Sequence, residues 1–191
     1  MCDYQAYYYD YEKGSRELYK CPHQPSDPKC MFHDGESFRS RADDVRTTFY
    51  QMVKDAINNN EPLYCIGFHL PDIIVKEKFT KPVYFSNATF QQEADFSGAK
   101  FQQANFSGAK FQQANFFGAK FQQANFSGAK FQEEADFFGA KFQQEADFFG
   151  AKFQQANFSG AKFQQEADFF GATFQQEADF FGAKFQQANF S

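Results

Sequence analysis

The sequence contains no tryptophan, only three histidines and only four cysteines among its 191 residues. It has no run of about 18 apolar residues that would predict a transmembrane helix, and no apolar signal segment opens it. The net charge of −5 leaves no basic stripe of the kind that holds nucleic acid. We therefore expect a cytoplasmic protein in a reducing compartment, with no direct contact to nucleic acid or membrane.

Phenylalanine is the abundant residue, with 31 in the chain. From Phe85 to Phe190 a phenylalanine recurs every five residues, with five intervals of six, and an alanine stands two positions before each one except Phe85, which has Val83. A helix repeats apolar residues at spacings of three and four and a strand at two, so neither has this period. Each unit therefore predicts one very short strand and a corner, with the alanine and phenylalanine side chains inside.

These units resemble the pentapeptide-repeat family, whose consensus A-(D/N)-(L/F)-x-x is matched by residues 104–108 (ANFSG) and 109–113 (AKFQQ). The resemblance covers residues 83–191 and implies an all-β repeat fold, a right-handed quadrilateral β-helix with four units per coil. Twenty-one units give about five coils, or roughly 25 Å of column at the usual strand spacing. The alternative is a disordered or aggregating Gln/Asn-rich tract, but disordered segments contain few aromatic residues.

The units group into blocks of two, AKFQQANFSG with ten residues or AKFQQEADFFG with eleven. The extra residue is always Glu, and the longer block has Asp where the shorter block has Asn. Because two blocks make one coil, we expect each insertion to widen a corner as a β-bulge does and to preserve the strand pairing. The inserted residues are Glu93, Glu134, Glu145, Glu166 and Glu177.

The same phasing divides the charges between the two halves of each coil. One half has three lysines and seven carboxylates, a net charge of −4, and the other has five lysines and four carboxylates, a net charge of +1. The Glu-x-Asp pairs have the composition of paired catalytic carboxylates or calcium ligands, but on a flat, solvated face a charge ladder that keeps the column soluble is the simpler interpretation. The acidic face comprises Glu93, Asp95, Glu133, Glu134, Asp136, Glu177 and Asp179. The five lysines of the other half fall in one column: Lys100, Lys120, Lys141, Lys162 and Lys184.

The residue after each phased phenylalanine faces outward and is normally serine. At five units it is a second phenylalanine, and we expect most of these rings to stack in exposed pairs. Contiguous exposed aromatic residues mark contact surfaces. The five are Phe117, Phe138, Phe149, Phe170 and Phe181.

Residues 1–39 form a different segment that contains most of the cysteines. Residues 4–11 and 18–20 flank Gly14 as the strands of a β-hairpin flank a turn. Three cysteines and one histidine suit a tetrahedral structural zinc in a small α+β module that resembles a zinc knuckle. The alternatives are unligated thiols, a disulfide, or a ligand set in which His23 or Cys65 substitutes. The predicted zinc ligands are Cys2, Cys21, Cys30 and His33.

Residues 40–65 predict an amphipathic capping helix and a linker, because apolar residues from Val45 to Ile57 follow helical spacing. Residues 66–84 predict an irregular first coil, so the β-helix extends over 66–191. The helix and the zinc module should cap the N-terminal end of the column. The other end runs to Ser191, and we expect its last coil to be uncapped. The rings it would expose are Phe174, Phe180, Phe185 and Phe190.

No catalytic constellation is visible, because the histidines lie outside the repeats and the repeat serines have no adjacent base. We therefore expect a non-enzymatic scaffold that self-associates through its last coil and exposed phenylalanines, as a homodimer or alternatively as an end-to-end filament. The sequence does not identify a further protein partner.

The resemblance also suggests an alternative function, since some family members imitate duplex DNA and bind DNA gyrase. DNA carries one negative charge per about 1.7 Å, so roughly 25 Å of column would need about fifteen charges. The repeats have a net charge of −3, which disfavours mimicry.

Overall fold

The computed structural model describes residues 4–21, 31–33 and 38–191. An antiparallel hairpin of β1 (Gln5–Asp10) and β2 (Ser15–Lys20) opens the chain, and the helix α1 (Phe38–Asn59) follows it. Gly14 has a φ of 64° in the hairpin turn, a conformation that only glycine adopts without strain. The predicted hairpin and helix are both present.

Seventeen short strands follow the helix. They are β3 (Leu63–Tyr64), β4 (His69–Leu70), β5 (Ile73–Ile74), β6 (Lys78–Phe79), β7 (Val83–Tyr84), β8 (Thr89–Asp95), β9 (Lys100–Asn105), β10 (Lys110–Asn115), β11 (Lys120–Asn125), β12 (Lys130–Asp136), β13 (Lys141–Phe142), β14 (Ala146–Asp147), β15 (Lys152–Asn157), β16 (Lys162–Asp168), β17 (Thr173–Phe174), β18 (Ala178–Asp179) and β19 (Lys184–Asn189).

These strands form two parallel sheets, one on each half of the coil. Sheet I contains β3, β6, β7, β9, β11, β13, β14, β16 and β19, and sheet II contains β4, β5, β8, β10, β12, β15, β17 and β18. Strands between the first and last coils pair with strands one coil before and after them, so that Lys120 lies opposite both Lys100 and Lys141. The molecule is a parallel β-solenoid of about six coils, which confirms the predicted β-helix of five coils and an irregular first one.

The core consists of four stacks of phenylalanine rings, which give the column its four sides. Within a stack, successive ring centroids are 4.5–5.4 Å apart and successive planes lie within 14° of each other. Neighbouring stacks mostly meet edge to face, as Phe126 and Phe137 do at 90°. Offset stacking and edge contacts are the two arrangements that aromatic rings favour. The stacks begin at Phe79, Phe85, Phe90 and Phe96 and end at Phe185, Phe190, Phe174 and Phe180 respectively.

The inserted glutamates lie where the pairing register shifts or a strand is interrupted, and three of them, Glu93, Glu134 and Glu166, fall inside strands. Between β10 and β12 the register shifts after Phe111, and the strands pair again from Ala114 opposite Ala135. The extra residue of the longer block therefore bulges outward, and the alanine and phenylalanine positions stay aligned through all coils.

In the first coil a small residue stands at a phenylalanine position of the core and a large residue stands at an alanine position. By its backbone hydrogen bonds Cys65 occupies the position that Phe85 has in the next coil, and Phe68 occupies that of Ala88. Because the cysteine is small, Phe49 of α1 lies within 6.3 Å of the Phe85 ring. The helix thereby covers the N-terminal end of the phenylalanine core.

The hairpin lies against the side of the column, whereas the sequence suggests that the whole N-terminal segment covers its end. The Tyr84 hydroxyl donates a hydrogen bond to Asp10 Oδ1 at 3.2 Å, and Asn105 Nδ2 donates to the Tyr9 carbonyl at 3.5 Å. Lys81 forms an ion pair with Glu12 at 2.8 Å. These contacts seat the hairpin on sheet I.

Candidate interaction surfaces

The last coil exposes the ends of all four phenylalanine stacks. The phased rings of the earlier coils are at most 5% exposed, whereas Phe190 is 53% exposed. Phe174, Phe180 and Phe185 are half-buried and pack only against the coil before them. Within the described chain, β17, β18 and β19 each pair along one edge only. This coil therefore presents both apolar rings and unpaired backbone groups.

The exposed phenylalanines form two separate pairs and one single ring. Phe117 stacks on Phe138 with centroids 5.4 Å apart, and Phe149 stacks on Phe170 at 5.7 Å. The first pair lies at the turns that lead from sheet II into sheet I, and the second at the turns that lead back. Phe181 is 84% exposed. The expected stacking is present, but the two pairs occupy different corners of the column.

The aspartates of the acidic face have a local structural role. In each block the Asp or Asn carries a side-chain oxygen that accepts the backbone N–H two residues later, as Asp136 does from Phe138 at 2.8 Å and Asn115 from Phe117 at 2.9 Å. Such Asx turns fix the corner after each strand. The exchange of Asp for Asn at one repeat position was the sequence signal for this role, because both residues offer the same acceptor.

The glutamates of that face project into solvent. Glu93, Glu134 and Glu177 are exposed, and Glu133 accepts a hydrogen bond from Gln112 at 2.6 Å. Burial alone would raise the pKa of Asp95, but hydrogen bonds from Ser97 and the Lys76 ammonium lower it overall. Asp95 and Asp179 therefore stay charged while they accept hydrogen bonds, since the Phe181 N–H lowers the pKa of Asp179 as well.

On sheet I the pKa of one aspartate, Asp147, is raised, in contrast to the lowered pKa of Asp95 on sheet II. Burial raises the pKa of Asp147, and the neighbouring carboxylates of Asp168 and Glu145 raise it further. Asp147 and Asp168 lie directly opposite each other in adjacent coils. On sheet II the equivalent aspartates alternate with asparagines, so that Asp136 lies between Asn115 and Asn157. Like charges that face each other across strands are destabilising, and the aspartate positions of sheet II avoid such pairs, whereas its Lys110, Lys130 and Lys152 face one another.

Of the predicted zinc ligands, the structure describes Cys21 and His33, while Cys2 and Cys30 lie outside the described residues, as does His23. The Cys21 N–H donates to the Tyr4 carbonyl at 3.1 Å, and the His33 ring stacks on the Tyr4 ring at 3.9 Å. His33 Nε2 lies 2.9 Å from the Ile66 carbonyl oxygen. Among the described residues no group of three or more metal-ligating side chains comes together. Zinc binding stays a prediction.

Cys65 is buried in the column beneath the helix, and burial raises the pKa of its thiol well above the usual value. A zinc ligand must be a thiolate, so this position argues against Cys65 as an alternative ligand.

Two family profiles match the column. One, described as pentapeptide repeats (8 copies), matches residues 94–132, and the other, described as pentapeptide repeats (9 copies), matches residues 148–191. Residues 94–132 and 148–191 of the column therefore match pentapeptide repeats. No curated protein matches the chain in sequence. Pentapeptide-repeat proteins are generally structural or interaction proteins without catalytic activity, so the repeats indicate a protein-interaction scaffold.

Across the described residues, no helix combines the length and apolar character needed to span a membrane.

Proposed function

We propose that this pentapeptide-repeat protein is a non-enzymatic scaffold that self-associates through its last coil. The observation that carries the proposal is the exposure of the Phe190 ring, 53%, at the end of a core whose other coils are dry. Exposed rings and one-sided strands of this kind are places where chains pair. A second copy supplies a surface with the same four-sided shape and the same coil geometry.

A two-fold, end-to-end dimer is favoured over a filament. A filament needs the last coil of one copy to meet the first coil of the next, and α1 covers the first coil through Phe49. Two last coils that meet each other close the assembly after two subunits. The sideways contacts of Phe117, Phe138, Phe149, Phe170 and Phe181 are then available to other partners.

Replacement of Phe190 with glutamate should convert the dimer to a monomer, because it places a charge in the apolar contact. Gln186→Glu is the matched control, since it adds the same charge to the same coil at an exposed, outward position. Sedimentation velocity measures the mass, and circular dichroism checks that the column stays folded. A monomeric wild-type protein contradicts the proposal whatever the variants do.

Protection of DNA gyrase is less well supported. The seven carboxylates and three lysines of the acidic half give it a net charge of only −4. The freely projecting glutamates occur on alternate coils of sheet II, far below the charge density of DNA.

We also propose that Cys2, Cys21, Cys30 and His33 bind one structural Zn²⁺. Cys21 and His33 both contact Tyr4, which supports their proximity. Protein purified without chelator should contain about one zinc per chain by elemental analysis, and Cys21→Ser should lose it. Cys65→Ser is the control and should retain the metal. Chelation should alter tyrosine fluorescence and leave the circular dichroism of the column unchanged, because the ligands all precede the repeats. Absence of zinc in the wild-type protein contradicts the proposal.

A further inference from the structure

Six lysines form a straight column on one face of sheet I. Each lies directly opposite its neighbours in the coils before and after it. Adjacent members are one strand spacing apart, about 4.8 Å along the axis. Five of the side chains are exposed and that of Lys141 is half-buried. The lysine column comprises Lys78, Lys100, Lys120, Lys141, Lys162 and Lys184.

Among the described residues, no carboxylate forms an ion pair with the lysine column. The ion pairs among the described residues use other cations, such as Lys76, Lys81 and Arg46. Like charges on adjacent strands repel each other. The fold does not require lysine at this position, because the equivalent column on sheet II includes Thr89 and Thr173. The sequence therefore maintains a row of cations that its own fold neither needs nor neutralises.

Two further features border the lysine column. The stacked pair Phe117 and Phe138 lies at the turns that lead into Lys120 and Lys141. On the other border, glutamines line a shallow groove together with the lysines. The polar residues of this groove are Lys78, Lys100, Lys120, Gln102, Gln122 and Gln143.

We propose that this face binds a linear anionic polysaccharide that lies along the column axis. The lysines would pair with carboxylates that recur along the polymer, and the glutamine amides would bond its hydroxyl groups. The exposed faces of Phe117 and Phe138 would pack against the C–H faces of the sugar rings, since an aromatic face carries partial negative charge.

A nucleic acid fits this face less well. Glu145 lies between β13 and β14 and Glu166 lies within β16, both on the sheet that carries the lysine column, and the chain carries a net charge of −5. A polymer with one charge per about 1.7 Å, such as duplex DNA, meets more repulsion there than a polymer with one charge per sugar.

The first test is the affinity for polygalacturonate at low salt, measured by titration calorimetry on the full chain. The double variant Lys120→Thr/Lys141→Thr should bind about 10-fold more weakly and with a shallower salt dependence, because two ion pairs are lost. The matched control is Lys130→Thr/Lys152→Thr on sheet II, which changes the net charge equally. Threonine already occurs in this column of sheet II at Thr89 and Thr173, so both variants should fold, and circular dichroism checks this.

The second test separates sugar stacking from charge. Phe117→Ser/Phe138→Ser should weaken binding of polygalacturonate several-fold, whereas Phe149→Ser/Phe170→Ser on the other corner should not. No binding at low salt overturns the proposal, as do equal losses in the two lysine variants, which would indicate unspecific attraction. Equal losses in the two phenylalanine variants overturn it as well. Tighter binding of single-stranded DNA than of polygalacturonate would assign the face to nucleic acid instead.

Discussion

Replacement of Phe126 with alanine should lower the free energy of unfolding by about 3 to 5 kcal/mol, the range for a large aromatic residue lost from a packed core. Phe126 is fully buried and stacks between Phe106 at 5.0 Å and Phe148 at 5.1 Å. Its edges also meet rings of the neighbouring stacks. Alanine leaves a cavity in mid-column that the rigid coil spacing prevents from collapsing.

Urea denaturation followed by circular dichroism measures this effect. The matched control is Phe149→Ala, which deletes an equally large ring that is 50% exposed and contacts chiefly Phe170. The control should cost less than about 1 kcal/mol. If both variants lose the same stability, the buried stacks are not the main source of the stability of the column.

Replacement of Asp10 with alanine should detach the hairpin from the column at a cost of about 2 to 4 kcal/mol in docking free energy. Asp10 is 2% exposed and accepts hydrogen bonds from the hydroxyls of Tyr8 and Tyr84 and from the backbone N–H groups of Glu12 and Lys13. Alanine leaves these donors without an acceptor, and unsatisfied buried donors are costly.

Tyrosine fluorescence reports this change selectively, since all nine tyrosines lie at or before Tyr84 and the chain has no tryptophan. In Asp10→Ala, acrylamide should quench the tyrosines more strongly while the circular dichroism of the column persists. Asp10→Asn retains one acceptor and should give an intermediate result. Glu17→Ala, which removes a more exposed carboxylate of the same hairpin, should have little effect. Unchanged quenching in Asp10→Ala contradicts the assigned role.

The column could be predicted from the sequence because its core residues recur at a fixed number of residues along the chain. The phenylalanines from Phe85 to Phe190 recur at intervals that only one short repeat explains, and each glutamate insertion stands at the same place within its block. The core position of Cys65 was also predictable in principle, because it stands one coil of twenty residues before Phe85. An irregular first coil hides this register, since its core residues differ in size from those of the later coils.

The placement of the hairpin could not be predicted in this way. The contact between Asp10 and Tyr84 joins residues 74 apart in the chain, and no local periodicity reports a contact of that range. The sequence predicted the stacking of exposed phenylalanines, but their division between two corners became visible only in the three-dimensional register. The Asx turns were visible only as an exchange of Asp and Asn.

The mass of the unmodified chain in solution shows whether two last coils meet. Light scattering over a series of concentrations should give twice the 22.0 kDa of one chain, because two last coils bury each other's rings. A mass of one chain at every concentration contradicts the account, and a mass that grows without limit replaces the dimer with a filament.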